Sequence, residues 1–365
     1  MKTIGRNKSS CVIPDCSSLF IKLKKVLVML QKIKITDFKN RAGTIQDIQL
    51  TYQIFGKELG TAPIVLVNHA LTGNSEVTGE NGWWNELIGI DKTVDLKNYT
   101  LLAFNIPGNG FDGEASNLLT NYKEFTLRDI AKVYRSALKY LGISKIAIGI
   151  GGSIGGALLW EQAVLDPDLF ERIIPVAADY KATPWIKALS KVQDQILNNS
   201  VNPVADARMH AMTFYRSPES FDSKFSSDQI QKSGIWGIED WLEYHGKKLE
   251  NRYTLAAYKL MNHLLSTSDI SLGSGDHLSA ASKITGDIHI ITINSDALYT
   301  ANENWDTYVN LSLIKKNISI HEIRSIHGHD AFLIETSQVA TFLDPIFNTI
   351  NKQNEKNKHS TFRSR

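Results

Sequence analysis

Three residues, in one chain order, have the types needed for nucleophilic acyl chemistry. Ser153 stands in Gly151-Gly152-Ser153-Ile154-Gly155, a G-x-S-x-G turn. An apolar, β-branched run from Lys145 leads into it and a helix-favouring run follows at once. Strand, sharp turn and helix form the setting in which this motif presents a serine hydroxyl. The turn strains the serine backbone, and glycine lets strand and helix approach closely. The free N–H groups of the helix start favour developing negative charge. A serine hydroxyl is a poor nucleophile until a base takes its proton, and the base needs a third group to orient it. Downstream, Asp296 follows the run Asp287 to Asn294, and His329 follows Ile318 to Ile323. Each sits where the carboxyl edge of a sheet would present it, so Ser153, Asp296 and His329 form a candidate triad. Singly, Asp296 reads as a turn aspartate capping a helix from about Asn302, and His329 as a loop histidine. His327, two residues away, competes for the base role.

Acyl transfer also needs donors for the oxyanion. The N–H of Ile154 is one. The second is expected from the loop after an early strand, Asn68-His-Ala-Leu-Thr-Gly73. His69 lies there but precedes the nucleophile, so it reads as a packed or hydrogen-bonded loop residue.

Strands must position these groups. Ile33 to Ile35 and Ile45 to Phe55 read as short strands joined by a turn at Lys39 to Gly43. Ala62 to Asn68 and Thr100 to Phe104 are continuous apolar runs of the kind buried on both faces. Thr126-Leu-Arg-Asp129 offers an N-cap and an acidic N3, opening a helix to about Leu141 that Gly142 ends. The helix after Ser153 stops near Asp166-Pro167, and Arg172 to Ala178 is the next strand. From Asp179 to Leu278 helical periodicity replaces the alternation. Strands return at Asp287 to Asn294 and Ile318 to Ile323, and a last helix, Ala331 to Ile350, is expected to kink or break at Asp344-Pro345. Alternating strands and helices argue for a mostly parallel sheet covered on both faces. The helical insertion would lie over the carboxyl ends of the strands as a lid, where ligands bind in such sheets. The expected divisions are an N-terminal extension (1–30), core (31–178), lid (179–280), core (281–350) and a frayed tail (351–365).

Bulk composition narrows the partners. Forty Lys and Arg balance 38 Asp and Glu, a net charge of +2, which gives no reason to expect nucleic acid or a membrane surface. No apolar run is long enough to span a bilayer. The two cysteines, Cys11 and Cys16, lie in the N-terminal segment, which excludes a disulfide framework for the body and fits a reducing cytoplasm. Met1 to Val28 lacks a secretory pattern, and Met29 is expected to be the biological start. A metal site is not expected.

Longer motifs make the pattern specific. His69-Ala-Leu-Thr-Gly73, Trp83-Trp84 with Leu87-Ile-Gly89, the Gly-Gly-Ser elbow, Ser295-Asp296 and Gly328-His-Asp-Ala-Phe-Leu333 together resemble the homoserine O-acetyltransferase family of the α/β-hydrolase fold. Trp241-Leu-Glu-Tyr-His-Gly246, with Arg252 and Tyr258, is similar to that family's YL-x-x-QG and RFD-x-x-SY block. The resemblance covers Ile33 to Ile350. It implies that Ser153 takes an acetyl group from acetyl-CoA, a co-substrate rather than a resident cofactor. Leu71 and Ile154 N–H groups would hold the oxyanion, and His329, oriented by Asp296, would be the base. Asp330 would hold the ammonium of L-homoserine, and Arg252, with Tyr258 nearby, its carboxylate. The product would serve methionine synthesis, and a homodimer through the lid is a family expectation.

The chain also departs from the family. A GSTGPSS-like segment is replaced by Asn105-Ile-Pro-Gly-Asn-Gly-Phe-Asp-Gly113. Arg252-Tyr-Thr-Leu-Ala-Ala-Tyr258 lacks the block's aspartate and serine, and Ile154 replaces a usual methionine. These changes leave open a serine hydrolase on the same scaffold, a succinyl-CoA donor, a serine acceptor, or a non-catalytic module.

Overall fold

The structure, a computed structural model, describes residues 29–227, 229–230 and 234–348. The expectations for residues 1–28, with both cysteines, and for the tail at 351–365 lie outside these.

Eight strands form one sheet in the order β1-β2-β6-β3-β7-β8-β9-β10. They are β1 (Gln31–Lys39), β2 (Ile45–Gly56), β3 (Ile64–Asn68), β6 (Thr100–Phe104), β7 (Ile146–Gly152), β8 (Phe170–Val176), β9 (Asp287–Ile293) and β10 (Ile318–Ile323). A two-stranded pair, β4 (Ile88–Gly89) and β5 (Val94–Asp95), lies apart. From β6 to β10 every pairing is parallel; β1 with β2 and β2 with β6 are antiparallel. Alternation sorts the side chains. Leu66, Leu102 and Phe104 pack on one face, and Val65, Val67, Leu101 and Ala103 on the other. Helices α1 (Leu127–Tyr140) and α2 (Ile154–Leu165) cover the first face. The helix at 336–348 covers the second, through Leu343 and Phe347.

The capping box read from sequence forms. Thr126 accepts from the Asp129 N–H, and Asp129 accepts from the Thr126 N–H. Gly142 follows the helix with φ +70°, where only glycine turns without strain. Strand β1 runs longer than expected and is bulged between Ile35 and Phe38, where Asp37 takes φ +52°.

The lid comprises α3 (Pro184–Asn199), α4 (Pro203–Tyr215), α5 (Pro218–Phe225), α6 (Gly237–Glu250), α7 (Leu255–Ser266) and α8 (His277–Ser282). After it come α9 (Ala301–Ser312) and α10 (Ala331–Ile334). The expected break at Asp344-Pro345 is corrected: the chain breaks at Glu335, and the helix at 336–348 runs through Pro345. Glu335 has ψ 48°, its carbonyl accepts from Gln338 and Val339, and its carboxylate takes the Ser325 hydroxyl, so it starts the second helix. The carbonyl that Pro345 leaves without a helical donor belongs to Thr341, which is exposed and open to water.

Candidate active site

Strand β7 delivers Ser153 to the edge of the sheet and α2 starts at the next residue. Ser153 has φ +57° and ψ −129°, a conformation costing a non-glycine residue about 1–3 kcal/mol. Its N–H is tied to the Val176 carbonyl at 2.9 Å, and its carbonyl accepts from Gly156 at 2.8 Å. The turn closes because Gly151 lies against the Gly155 carbonyl and Gly155 against the carbonyls of Asn68 and His69. A Cβ at either glycine would collide with backbone.

The three candidate residues meet in this structure. Asp296 Oδ2 lies 2.7 Å from His329 Nδ1, and His329 Nε2 lies 2.9 Å from Ser153 Oγ. A carboxylate accepts only, so Nδ1 carries the proton and Nε2 is left to accept from the serine hydroxyl. The other oxygen of Asp296 accepts from the N–H groups of Leu298 (2.7 Å) and Tyr299 (3.0 Å). Asp296 does not cap the following helix: Thr300 does, accepting from Glu303. The rings of Tyr215, Tyr299 and Phe332 surround the imidazole with centroids 5.6–6.0 Å away. Ser153 and His329 are 5% and 3% exposed, so the hydroxyl and its base meet out of bulk water. Burial alone would lower the pKa of His329, but the charges of Asp296 and Asp330 outweigh it and leave the pKa raised. His327 is held elsewhere: its Nδ1 accepts from Arg216 Nη2 at 2.9 Å.

Ile154 opens α2, so its N–H has no intrahelical acceptor. Among the described residues, the Leu71 N–H also has no acceptor. The loop bearing Leu71 is anchored on three sides. His69 Nδ1 donates to the Ala70 carbonyl at 2.7 Å and its Nε2 accepts from the Ile106 N–H at 3.0 Å. Burial pushes His69 down to about 4, so it remains neutral and structural. Trp83 Nε1 donates to Asn74, and the Tyr253 hydroxyl donates to the Leu71 carbonyl at 2.8 Å. Trp84 stacks on Trp83 and donates to the Phe332 carbonyl, so the paired tryptophans brace both the oxyanion loop and the histidine loop.

Asp330 follows His329 and is half-buried; burial raises its pKa against the lowering pull of Arg208, His329 and Arg216. Arg252 lies on the surface rather than deep in the site, and its Nη1 donates to the Thr72 carbonyl at 2.9 Å. Tyr258 is buried beside Leu71, Tyr215 and Leu298 around a small cavity. Arg208 is a residue the sequence reading missed. It lies on α4 with its guanidinium 5.4 Å over the Tyr215 ring, which in turn faces His329, and its charge acts on Asp330. Their spacing of seven, two helical turns, puts Arg208 and Tyr215 on one face of α4, the signal that could have found them.

Similarity to known proteins agrees with this geometry. Residues 63–296 match the model of the α/β-hydrolase fold family. The homoserine O-acetyltransferase of Chloroherpeton thalassium is 30% identical over 334 residues, covering 84% of this chain and 86% of that protein. Among solved structures, homoserine O-acetyltransferase from Bacillus anthracis superimposes with a TM-score of 0.79 at 18% identity, covering 88% of this chain and 98% of the other. Esterase E22 has the same TM-score at 16% identity, covering 88% of this chain and 100% of the other, a likeness of fold. By the matched family model and the identity shared over most of its length, this chain belongs to the homoserine O-acetyltransferase family of the α/β-hydrolase fold.

Proposed function

We propose that the protein moves an acetyl group from acetyl-CoA, through an ester on Ser153, to the hydroxyl of L-homoserine, a product that methionine synthesis consumes. The observation that carries this reading is the hydrogen-bonded series Ser153–His329–Asp296 in a chain of this family.

In the first half-reaction Ser153 Oγ attacks the thioester carbonyl while His329 Nε2 takes its proton. The N–H groups of Leu71 and Ile154 hold the oxyanion. The C–S bond then breaks, and the thiol leaves with the proton from His329. In the second, the homoserine hydroxyl gives its proton to His329 and attacks the seryl ester; the C–O bond to Ser153 breaks and Oγ regains the proton. Asp330 suits the acceptor's ammonium. Arg208, opposite Asp330, suits its carboxylate, with Arg252 at the outer edge and Tyr258 in the wall. The near-complete burial of Ser153 and His329 under the lid favours transfer over hydrolysis, because water competes for the same ester.

The test is thiol release from acetyl-CoA with and without homoserine. Release that depends on homoserine supports transfer, and release indifferent to it makes the protein a hydrolase. Succinyl-CoA as donor and serine as acceptor are the comparison arms. A cytoplasmic homodimer paired through the lid completes the proposal. It is supported by the exposed apolar side chains Val192 and Val201 on the lid, and light scattering tests the pairing.

A further inference from the structure

Away from the mouth of the active site, α3 and α7 of the lid meet the short turn Tyr122–Glu124. A cavity of about 300 Å³ lies in this seam. Lys123, Lys187 and Lys191 line it, and Ser190 and Asn262, each 5% exposed, form its inner wall. Lys187, Ser190, Lys191 and Asp194 fall at helical spacing on one face of α3. His263 fastens the turn to α7: its Nε2 donates to the Phe125 carbonyl at 3.0 Å, and the Tyr122 ring meets it edge-on at 5.7 Å. Lys123 is thereby carried on a fixed support. Burial holds the His263 pKa below its ordinary value, so the ring adds no charge to the cavity.

Two cations remain over. Asp194 is the one carboxylate among the lining residues, and it is taken by Lys191 at 3.7 Å and Asn198 at 2.9 Å. Glu124, beside Lys123, is held by Asn121 and Thr44. Among the described residues, neither Lys123 nor Lys187 is within ion-pair distance of a carboxylate. The Ser190 hydroxyl is buried and, among the described residues, has no hydrogen-bond partner. A buried hydroxyl left unpaired is costly, and ammonium groups without counter-charges repel one another; one bound dianion answers both. Lysine binds phosphate as a point charge, and two unpaired ammonium groups match its two negative charges.

The same two residues reach the active site. Ser190 and Asn262 also line a smaller cavity on the inner side of the seam, with Leu71, Tyr215 and Leu298. Leu71 belongs to the oxyanion loop, Tyr215 faces His329, and the Leu298 N–H holds Asp296. Asn262 Nδ2 donates to the Ser190 carbonyl at 2.9 Å and closes the seam between the two cavities.

We propose that this seam binds a phosphate-type dianion, free or as a phosphomonoester, through Lys123, Lys187 and the Ser190 hydroxyl, and that its occupancy changes the rate at which Ser153 is acylated. The proposal needs an acylated Ser153 and no particular acceptor, so it stands apart from the transferase reading.

The probes are inorganic phosphate and glycerol 3-phosphate, titrated calorimetrically into the wild-type protein at constant ionic strength. Binding should weaken by about tenfold or more in Lys123→Ala/Lys187→Ala. Ser190→Ala should weaken it by about threefold to tenfold without lowering the melting temperature, because the hydroxyl it removes has no partner. Lys57→Ala/Lys316→Ala removes two exposed lysines elsewhere and should bind like the wild type. Burst kinetics with p-nitrophenyl acetate should show acylation changed by about fivefold at saturating phosphate in the wild type and unchanged in Lys123→Ala/Lys187→Ala. The burst without phosphate reports that each variant is folded. Tighter binding of glycerol 3-phosphate assigns the site to a phosphomonoester, and tighter binding of phosphate assigns it to the free anion. Absence of binding by either probe, or equal binding by the wild type and Lys123→Ala/Lys187→Ala, overturns the site. A wild-type acylation rate indifferent to bound phosphate overturns its link to Ser153.

Discussion

The indole N–H of Trp185 donates a 2.6 Å hydrogen bond to the carbonyl of Ala297. Trp185 lies in the first turn of the lid, and Ala297 directly follows the acid of the triad. The next two N–H groups, of Leu298 and Tyr299, hold Asp296 Oδ1. A lid residue therefore fixes the short stretch that orients the acid. Trp185→Phe keeps the ring and removes the donor. It should slow acylation of Ser153 by about threefold to tenfold, the worth of one hydrogen bond, while KM for the donor moves little. Burst kinetics with p-nitrophenyl acetate measure this, and an unaltered burst rate would remove Trp185 from the positioning of Asp296.

Ser153→Ala should lower turnover by about 10⁴-fold or more, since a triad without its nucleophile keeps only oxyanion and binding effects. The substitution removes one hydroxyl whose partner is His329, so the melting temperature should stay within about 2 °C. Mass spectrometry after incubation with acetyl-CoA should find an acetyl adduct on the wild type and none on the variant. An adduct of equal yield on Ser153→Ala would place the acyl group elsewhere.

Asp330 bears on pH dependence and, in the proposed function, on acceptor binding. Its negative charge raises the pKa of His329, and the base works only when neutral. Asp330→Asn should therefore move the acid limb of the kcat/KM profile to lower pH. The same change should raise the KM for homoserine by about tenfold, because it removes the carboxylate proposed to hold the ammonium. A limb shifted to higher pH contradicts the electrostatic assignment, and an unchanged KM contradicts the binding one.

Asp179 makes stability depend on pH. It is fully buried after β8, accepting from the Tyr180 N–H, the Thr307 hydroxyl and Asn304 Nδ2, and burial pushes it up to about 7. The folded pKa is thus above the unfolded one. The contribution is fully present below the ordinary carboxylate range, falls as pH rises, and is lost once pH passes about 7. Asp179→Asn should remove this slope. Melting temperatures between about pH 5 and pH 8 should fall for the wild type relative to the variant; parallel curves would show that Asp179 does not keep its proton.

Much of this was legible because local rules were strong. The Thr126–Asp129 box, the strand–elbow–helix at Ser153 and the parallel core follow from spacing within a few residues, and all formed. The misplaced break in the last helix has a physical cause: a proline loses one bond, here to Thr341 on the exposed side of the helix, whereas Glu335 stops its helix through partners such as Ser325. Arg208 escaped notice because an arginine in a lid helix carries no local mark of its task. Its significance lies in Tyr215 and Asp330, the latter more than 120 residues away in sequence.

The sequence by itself determined the strained turn at Ser153, the chain order of Ser153, Asp296 and His329, and the sheet that carries them, because glycine sterics and alternating hydrophobic side chains act over short range. Only the tertiary structure decided which histidine serves Ser153. His327 and His329 are two residues apart, and what separates them is Arg216 reaching one and Asp296 the other.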